Sequence, residues 1–181
     1  MQYLWVFIIN KAVMKKIKYQ PIFKISVLCL LISTLFFSCS NSKKIKKLDN
    51  EEITGMLNSQ RFIFVAERVN PLRGSSRILT SSYDVTVKND TLNSYLPYFG
   101  QAFQAPSNTS KSPLEFKSYK FSYNIKLNNK DDWQVYITPK DYSEVQQLIF
   151  EIFGNGTATL NIQNLHSDPI SFYGHIEKVK D

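Results

Sequence analysis

The chain has 181 residues, 14% of them aromatic and 20% charged, with a formal net charge of +7 and two cysteines. Five lysines precede Cys39 and four more follow it closely, so that from Leu48 onward 13 basic residues face 15 acidic ones. A nucleic-acid face needs positive charge clustered on the folded domain, which this distribution excludes. No cysteine follows Cys39 to form a disulfide, a zinc site or a thiol nucleophile.

From Met14 the chain reads "MKKIKYQPIFKISVLCLLISTLFFSCS". Lys15, Lys16 and Lys18 make a basic head, Ile25 to Phe37 is a 13-residue run without charge, and Ser38-Cys39 follows. This is the layout of a bacterial secretory signal peptide. The apolar run is shorter than the roughly 20 residues a spanning helix needs. A small residue before a cysteine marks a lipoprotein signal, cleaved before Cys39, whose thiol would carry diacylglycerol and anchor the chain to a membrane. Phe36 holds the place where such signals usually have Leu, and Leu35 lies one residue further back. Residues 1–13 read as a start placed too early, with Met14 the true start, so that 1–38 is the signal peptide. Residues 39–48 are a lipidated basic tether with Lys43, Lys44, Lys46 and Lys47. Those lysines suit anionic headgroups, at roughly 1 kcal/mol each near the surface, or equally a solvated linker. Residues 49–181 make a single β-rich domain, large enough to bury about two-thirds of its unfolded surface.

"DNEEITGMLNSQ" predicts a short helix. Asp49 or Asn50 can cap it, Glu51 and Glu52 suit the positive end of its dipole, and Ile53, Met56 and Leu57 share a face. The period then changes. "RFIFVAERV" is a continuous apolar run, "NPLRGSSR" a loop, and "YDVTVK" alternates before the turn "NDT" and the segment "LNSYL". In "SYKFSYNIKL", Tyr119, Phe121, Tyr123, Ile125 and Leu127 share one face of a half-buried strand. "NNKDD" turns it into "WQVYITP", a hairpin. "SEVQQLIFEIF" fits either period and reads as a strand because it ends in "GNG". "TATLNIQN" and "PISFYGHIEKV" alternate. The sum is mainly β (α+β), one antiparallel, strongly curved sheet of seven to eight strands after a short N-terminal helix. Barrel and sandwich use the same alternation.

Catalytic chemistry is scarce. His166 lies in "NLHSDP" and His175 on the outward phase of the last strand; isolated, both read as surface histidines. No metal-ligand spacing occurs, since such sites need three or four ligands. Asp131-Asp132 sits in a hairpin turn and reads as solvated. There is no nucleophile elbow, phosphate loop or dinucleotide fingerprint. The expectation is a protein without enzymatic activity and without a cofactor.

The segment "YLPYFGQAF" at 95–103 stands out. Pro97 holds Leu96 extended, and Gly100 permits a sharp turn. One reading is a strand end whose Leu96, Phe99 and Phe103 plug the barrel or sandwich. The other is a ligand rim of Tyr95, Tyr98, Phe99 and Phe103, tyrosine being apolar with a polar tip, beside the Ser/Asn/Pro-rich loop "QAPSNTSKSP".

Leu96–Gly100 ("LPYFG"), the strand Gly156–Leu160 and the closing Phe172–Gly174 together resemble a family of Bacteroidetes envelope lipoproteins catalogued as domain of unknown function 4251. The resemblance runs from about Phe62 to Ile176. It implies one domain in the cell envelope and brings no catalytic residue. Surface-displayed lipoproteins of those organisms carry acidic residues after the lipidated cysteine, whereas "SNSKKIKK" follows here, which implies the periplasmic side of a membrane. The same organisms glycosylate exported proteins at Asp-Ser/Thr followed by a small or aliphatic residue, and Asp90-Thr91-Leu92 fits, with Thr91 as acceptor. The functional expectation is a non-catalytic envelope lipoprotein that binds a small apolar or lipid-like ligand. The alternative is a structural lipoprotein with a packed core that docks an envelope protein.

Overall fold

Asp49 starts the folded domain as a helix cap, its side chain accepting from the Asn50 amide at 2.8 Å. The computed structural model describes residues 49–103, 111–128 and 132–180, within a unit spanning Lys46–Asp181. Helix α1 (Asn50–Asn58) has Glu51 and Glu52 in its first turn and buries Ile53, Met56 and Leu57, as its apolar spacing requires. Nine strands follow: β1 (Phe62–Pro71), β2 (Arg77–Lys88), β3 (Thr91–Tyr95), β4 (Glu115–Ser118), β5 (Phe121–Leu127), β6 (Trp133–Pro139), β7 (Val145–Ile152), β8 (Thr157–Asn164) and β9 (Ile170–Lys178). All pair antiparallel in one sheet, in the order β4-β3-β2-β1-β9-β8-β7-β6-β5.

The chain's connectivity forces this sheet to curl. Laid flat, nine strands would hold their edges about 38 Å apart at the usual strand spacing. Yet the edge strands β4 and β5 are joined through Tyr119 and Lys120 alone, and Ser118 to Phe121 can span only about 11 Å. Antiparallel pairing at every step also makes β4 and β5 run in the same direction. They are two parts of one broken strand, β4 pairing with β3 and β5 with β6, and the sheet is nearly closed.

The count is nine, slightly above the seven to eight expected. The difference is β4, hidden in the sequence because "EFKSYKFSYNIKL" reads as one long alternation. The strand breaks at Tyr119-Lys120, so Tyr119 leaves the inward face and is exposed, as is Leu127 at the far end. β2 also begins earlier than "YDVTVK" suggests. Between the pairs Arg68↔Ile78 and Ala66↔Tyr83, Glu67 alone opposes Leu79–Ser82, a large bulge.

Asp141, just after β6, clamps the break. Its carboxylate accepts from the Ser118 hydroxyl and from the Tyr119 amide, while Tyr142 stacks on Phe116 at 4.3 Å and donates to the Pro113 carbonyl. The Ser118 and Tyr119 hydrogen bonds hold the Asp141 carboxyl below its ordinary 3.8. A lowered folded-state value stabilises above the unfolded value and is lost as pH falls through the folded one. Asp141→Asn is therefore expected to lower the urea midpoint at pH 7, and the gap from wild type should narrow once the pH drops below about 4. A gap unchanged down to acid pH would show that the carboxylate's charge plays no part.

The described residues build one hydrophobic core. Phe62, Phe64, Phe150 and Phe172 are fully buried among Val, Leu and Ile from β1, β2, β6, β7, β8 and β9. α1 covers one end, where the Tyr123 hydroxyl donates to the Leu57 carbonyl at 2.8 Å.

Candidate functional site

The opposite end is crossed by the chain that leaves β3. Leu96 turns inward and is buried. Pro97 carries the backbone onward, and the Tyr98 ring folds back so that its hydroxyl lies 2.9 Å from the Asp168 carbonyl and 3.2 Å from that of Gln101. Gly100 makes this fold-back possible: a Cβ there would run into the Tyr98 hydroxyl and stand 2.5 Å from the carbon bearing it. Burial pushes the Tyr98 phenol up from its usual value, so it stays a donor at neutral pH. The strap then pairs with the β8–β9 loop, through the Ala102↔Ser167 bridge and the amides of Phe103 to His166 (2.8 Å) and Asp168 to Gln101 (2.9 Å).

A third loop joins from β1–β2. Arg73 donates to the Gln101 side chain at 2.9 Å and sits 3.6 Å from the buried carboxylate of Asp168, which also faces the Gln101 amide at 3.4 Å. Asp168 is thus committed to Arg73 and the strap. Arg73, Gln101 and Arg77 carried no motif, and their roles appear only when three loops meet. The one legible cue was Gly100, two residues after a tyrosine.

Among the described residues, the four aromatics expected at a ligand rim take different partners. Tyr98 is the anchor just described. The Tyr95 ring lies 5.6 Å from Tyr83, and Phe99 lies under the Arg77 guanidinium at 4.9 Å. Phe103 is 64% exposed. Leu72, Ile78 and Leu165, on the neighbouring loops and on β2, are exposed as well. Against the plug reading, Leu96 alone of its three residues is buried, while Phe99 and Phe103 face outward.

Away from the strap, His175 is buried although it lies on the outward phase of β9. Its Nδ1 is 2.8 Å from Glu67 and its Nε2 3.2 Å from Glu177; the bulge on β1 puts Glu67 there. The two carboxylates flank the ring from opposite nitrogens and do not converge. Among the described residues no three His, Cys, Asp or Glu side chains are placed to hold a metal ion. Thr91 opens β3 with its hydroxyl donating to Asp90 at 3.0 Å. Cys39, the tether and Asp131 lie outside the described residues.

A family model described as a domain of unknown function, DUF4251, matches residues 44–176. Among solved structures, the fold is similar to the crystal structure of a DUF4251 family protein from Bacteroides eggerthii DSM 20697. The TM-score is 0.53 at 16% identity, covering 71% of this chain and 87% of that one. That likeness is one of fold. No curated protein matches the chain.

Proposed function

The chain belongs to the DUF4251 family, and from that premise we propose that it is a non-catalytic lipoprotein of the cell envelope whose strap end docks another envelope protein. The observation that carries this reading is the contrast between the two candidate surfaces. The interior is occupied by its own phenylalanines, whereas the rim keeps Phe99, Phe103, Leu72 and Leu165 in solvent. Exposed apolar residues on adjoining loops suit a protein contact, and aromatic and arginine side chains such as Phe99 under Arg77 are what docking hot spots use. The leader and Cys39 support a lipid anchor, and the basic tether supports the periplasmic side. Thr91, on the Asp90-Thr91-Leu92 turn, is the glycosylation acceptor we propose.

The test is photo-cross-linking of the lipidated protein in its native envelope. A photoreactive residue at Phe103 is expected to trap one defined protein, and the same residue at exposed Asn93 of β3 is not. Native mass spectra of the purified protein give the other arm. A small molecule that is retained gently and lost on denaturation, with no cross-link at 103, would replace this reading with ligand carriage.

A further inference from the structure

The end of the barrel opposite the strap carries an open groove of about 640 Å³ between α1 and the edge strand β5. One wall is polar, with Asn50, Thr54 and Asn58 of α1; the other is apolar, with Ile125, Leu127 and Trp133. Leu127 and Trp133 are cross-strand partners, so the apolar wall is one continuous patch. Leu127 is 66% exposed, although it belongs to the apolar phase of its strand. Among the described strands β5 pairs with β6 alone.

The chain itself says what lies near the groove. Asn50, which lines it, is eleven residues after Cys39. Even fully extended, that stretch spans no more than about 40 Å. The ten residues of β1 run from Phe62, shortly after α1, to Pro71, shortly before Arg73 of the strap network, about 33 Å at the usual rise. A lipid on Cys39 is therefore joined to the domain at the helix end, and only a nearly straight tether would carry it to the strap end, a full strand length further on. In the sequence Lys43, Lys44, Lys46 and Lys47 fall between Cys39 and Asn50, and they outnumber Glu51, the one acidic residue lining the groove.

We infer that this groove is the membrane-facing surface of the domain, and that bilayer hydrocarbon at the lipid interface covers exposed Leu127 and half-buried Ile125, beside the buried ring of Trp133. The inference rests on the lipid-anchored reading above. It adds an orientation: helix end on the bilayer, strap end away from it, free to meet a partner.

Trp133 is a built-in probe, because the other tryptophan, Trp5, precedes Cys39. The mature lipidated chain is inserted into vesicles of phosphatidylethanolamine and phosphatidylglycerol, with and without bromine on the upper acyl carbons. The expected result is a loss of Trp133 emission in the brominated vesicles. Leu127→Asn, at an exposed position that leaves the fold intact by circular dichroism, should float with the vesicles equally well and lose the quenching. A protein that floats but keeps full emission in brominated vesicles overturns the groove inference and leaves the anchor reading standing. A protein that does not float overturns the anchor reading and this inference with it. Emission that changes with protein concentration in the absence of vesicles would mean a second copy occupies the groove, and would also overturn it.

Discussion

Gly174→Ala is expected to lower stability by about 3 kcal/mol or more, the upper range for forcing an atom into a packed interior. The cause is backbone. A Cβ on Gly174 would run into the Val65 carbonyl oxygen and stand 2.9 Å from its carbon. No side chain can swing aside to admit it. β1 and β9 pair along their whole lengths, and their register shifts between Ala66 and Arg68, beside Gly174. The bulge that turns Glu67 toward His175 therefore presses β1 onto β9 at this one residue. Moving Val65 aside would disturb β2 as well, since Val65 also pairs with Asp84. Two controls separate the clash from glycine's general effects. A Cβ on Gly55 meets nothing within 4 Å, and Gly55→Ala in α1 should stabilise by up to about 1 kcal/mol. Gly74 has φ +102 and equally open space, so Gly74→Ala should show the cost of the backbone conformation alone, roughly 1 kcal/mol. Urea midpoints of the three variants give the comparison. A Gly174→Ala protein as stable as Gly74→Ala would mean that β1 yields at the bulge, and that the glycine is not there for space.

These positions also show where sequence reasoning reached and where it stopped. The helix, the hairpin of β5 and β6 and the strands after it were legible, because Ile53, Met56 and Leu57, or Trp133, Val135 and Ile137, repeat at a local period. The choice of a strand for Val145–Ile152 rested on the glycines that follow and agrees with the fold. The break at Tyr119-Lys120 was not legible. Both sides of it alternate in phase, and what ends the strand is Asp141, 22 residues after Tyr119, drawing the Tyr119 amide out of the ladder. The burial of His175 was hidden for a related reason. Its phase on β9 is outward, and only the bulge on β1 brings Glu67 against it. For the strap, the sequence supplied the turn and the aromatics. It could not supply Arg73 and Asp168, which lie 95 residues apart in the chain and meet at 3.6 Å. Local pattern reports local geometry, and the candidate site is made of contacts between distant loops.

Phe150→Ala is expected to cost about 3–5 kcal/mol, as for a large aromatic removed from a well-packed core. Its ring meets Phe62 edge-on at 5.6 Å and 89°, and Phe64 at 5.8 Å and 71°. Phe150 is on β7, and two strands, β8 and β9, separate β7 from β1 in the sheet. The three rings therefore touch across the barrel interior, where their edge-to-face geometry adds to the burial. Removing the central ring strips contacts from both sides at once. Phe150→Leu keeps much of the volume and should lose far less, which separates a cavity effect from any change to β7 itself. The same variant bears on function. If the wild-type interior has no room for a guest, Phe150→Ala should create an apolar chamber that takes up benzene or xenon, as emptied hydrophobic cores do, while wild type takes up neither. A loss below about 1 kcal/mol, or xenon uptake by the wild type, would mean that the barrel already encloses usable space. Weight would then return to a carried ligand over a docked partner.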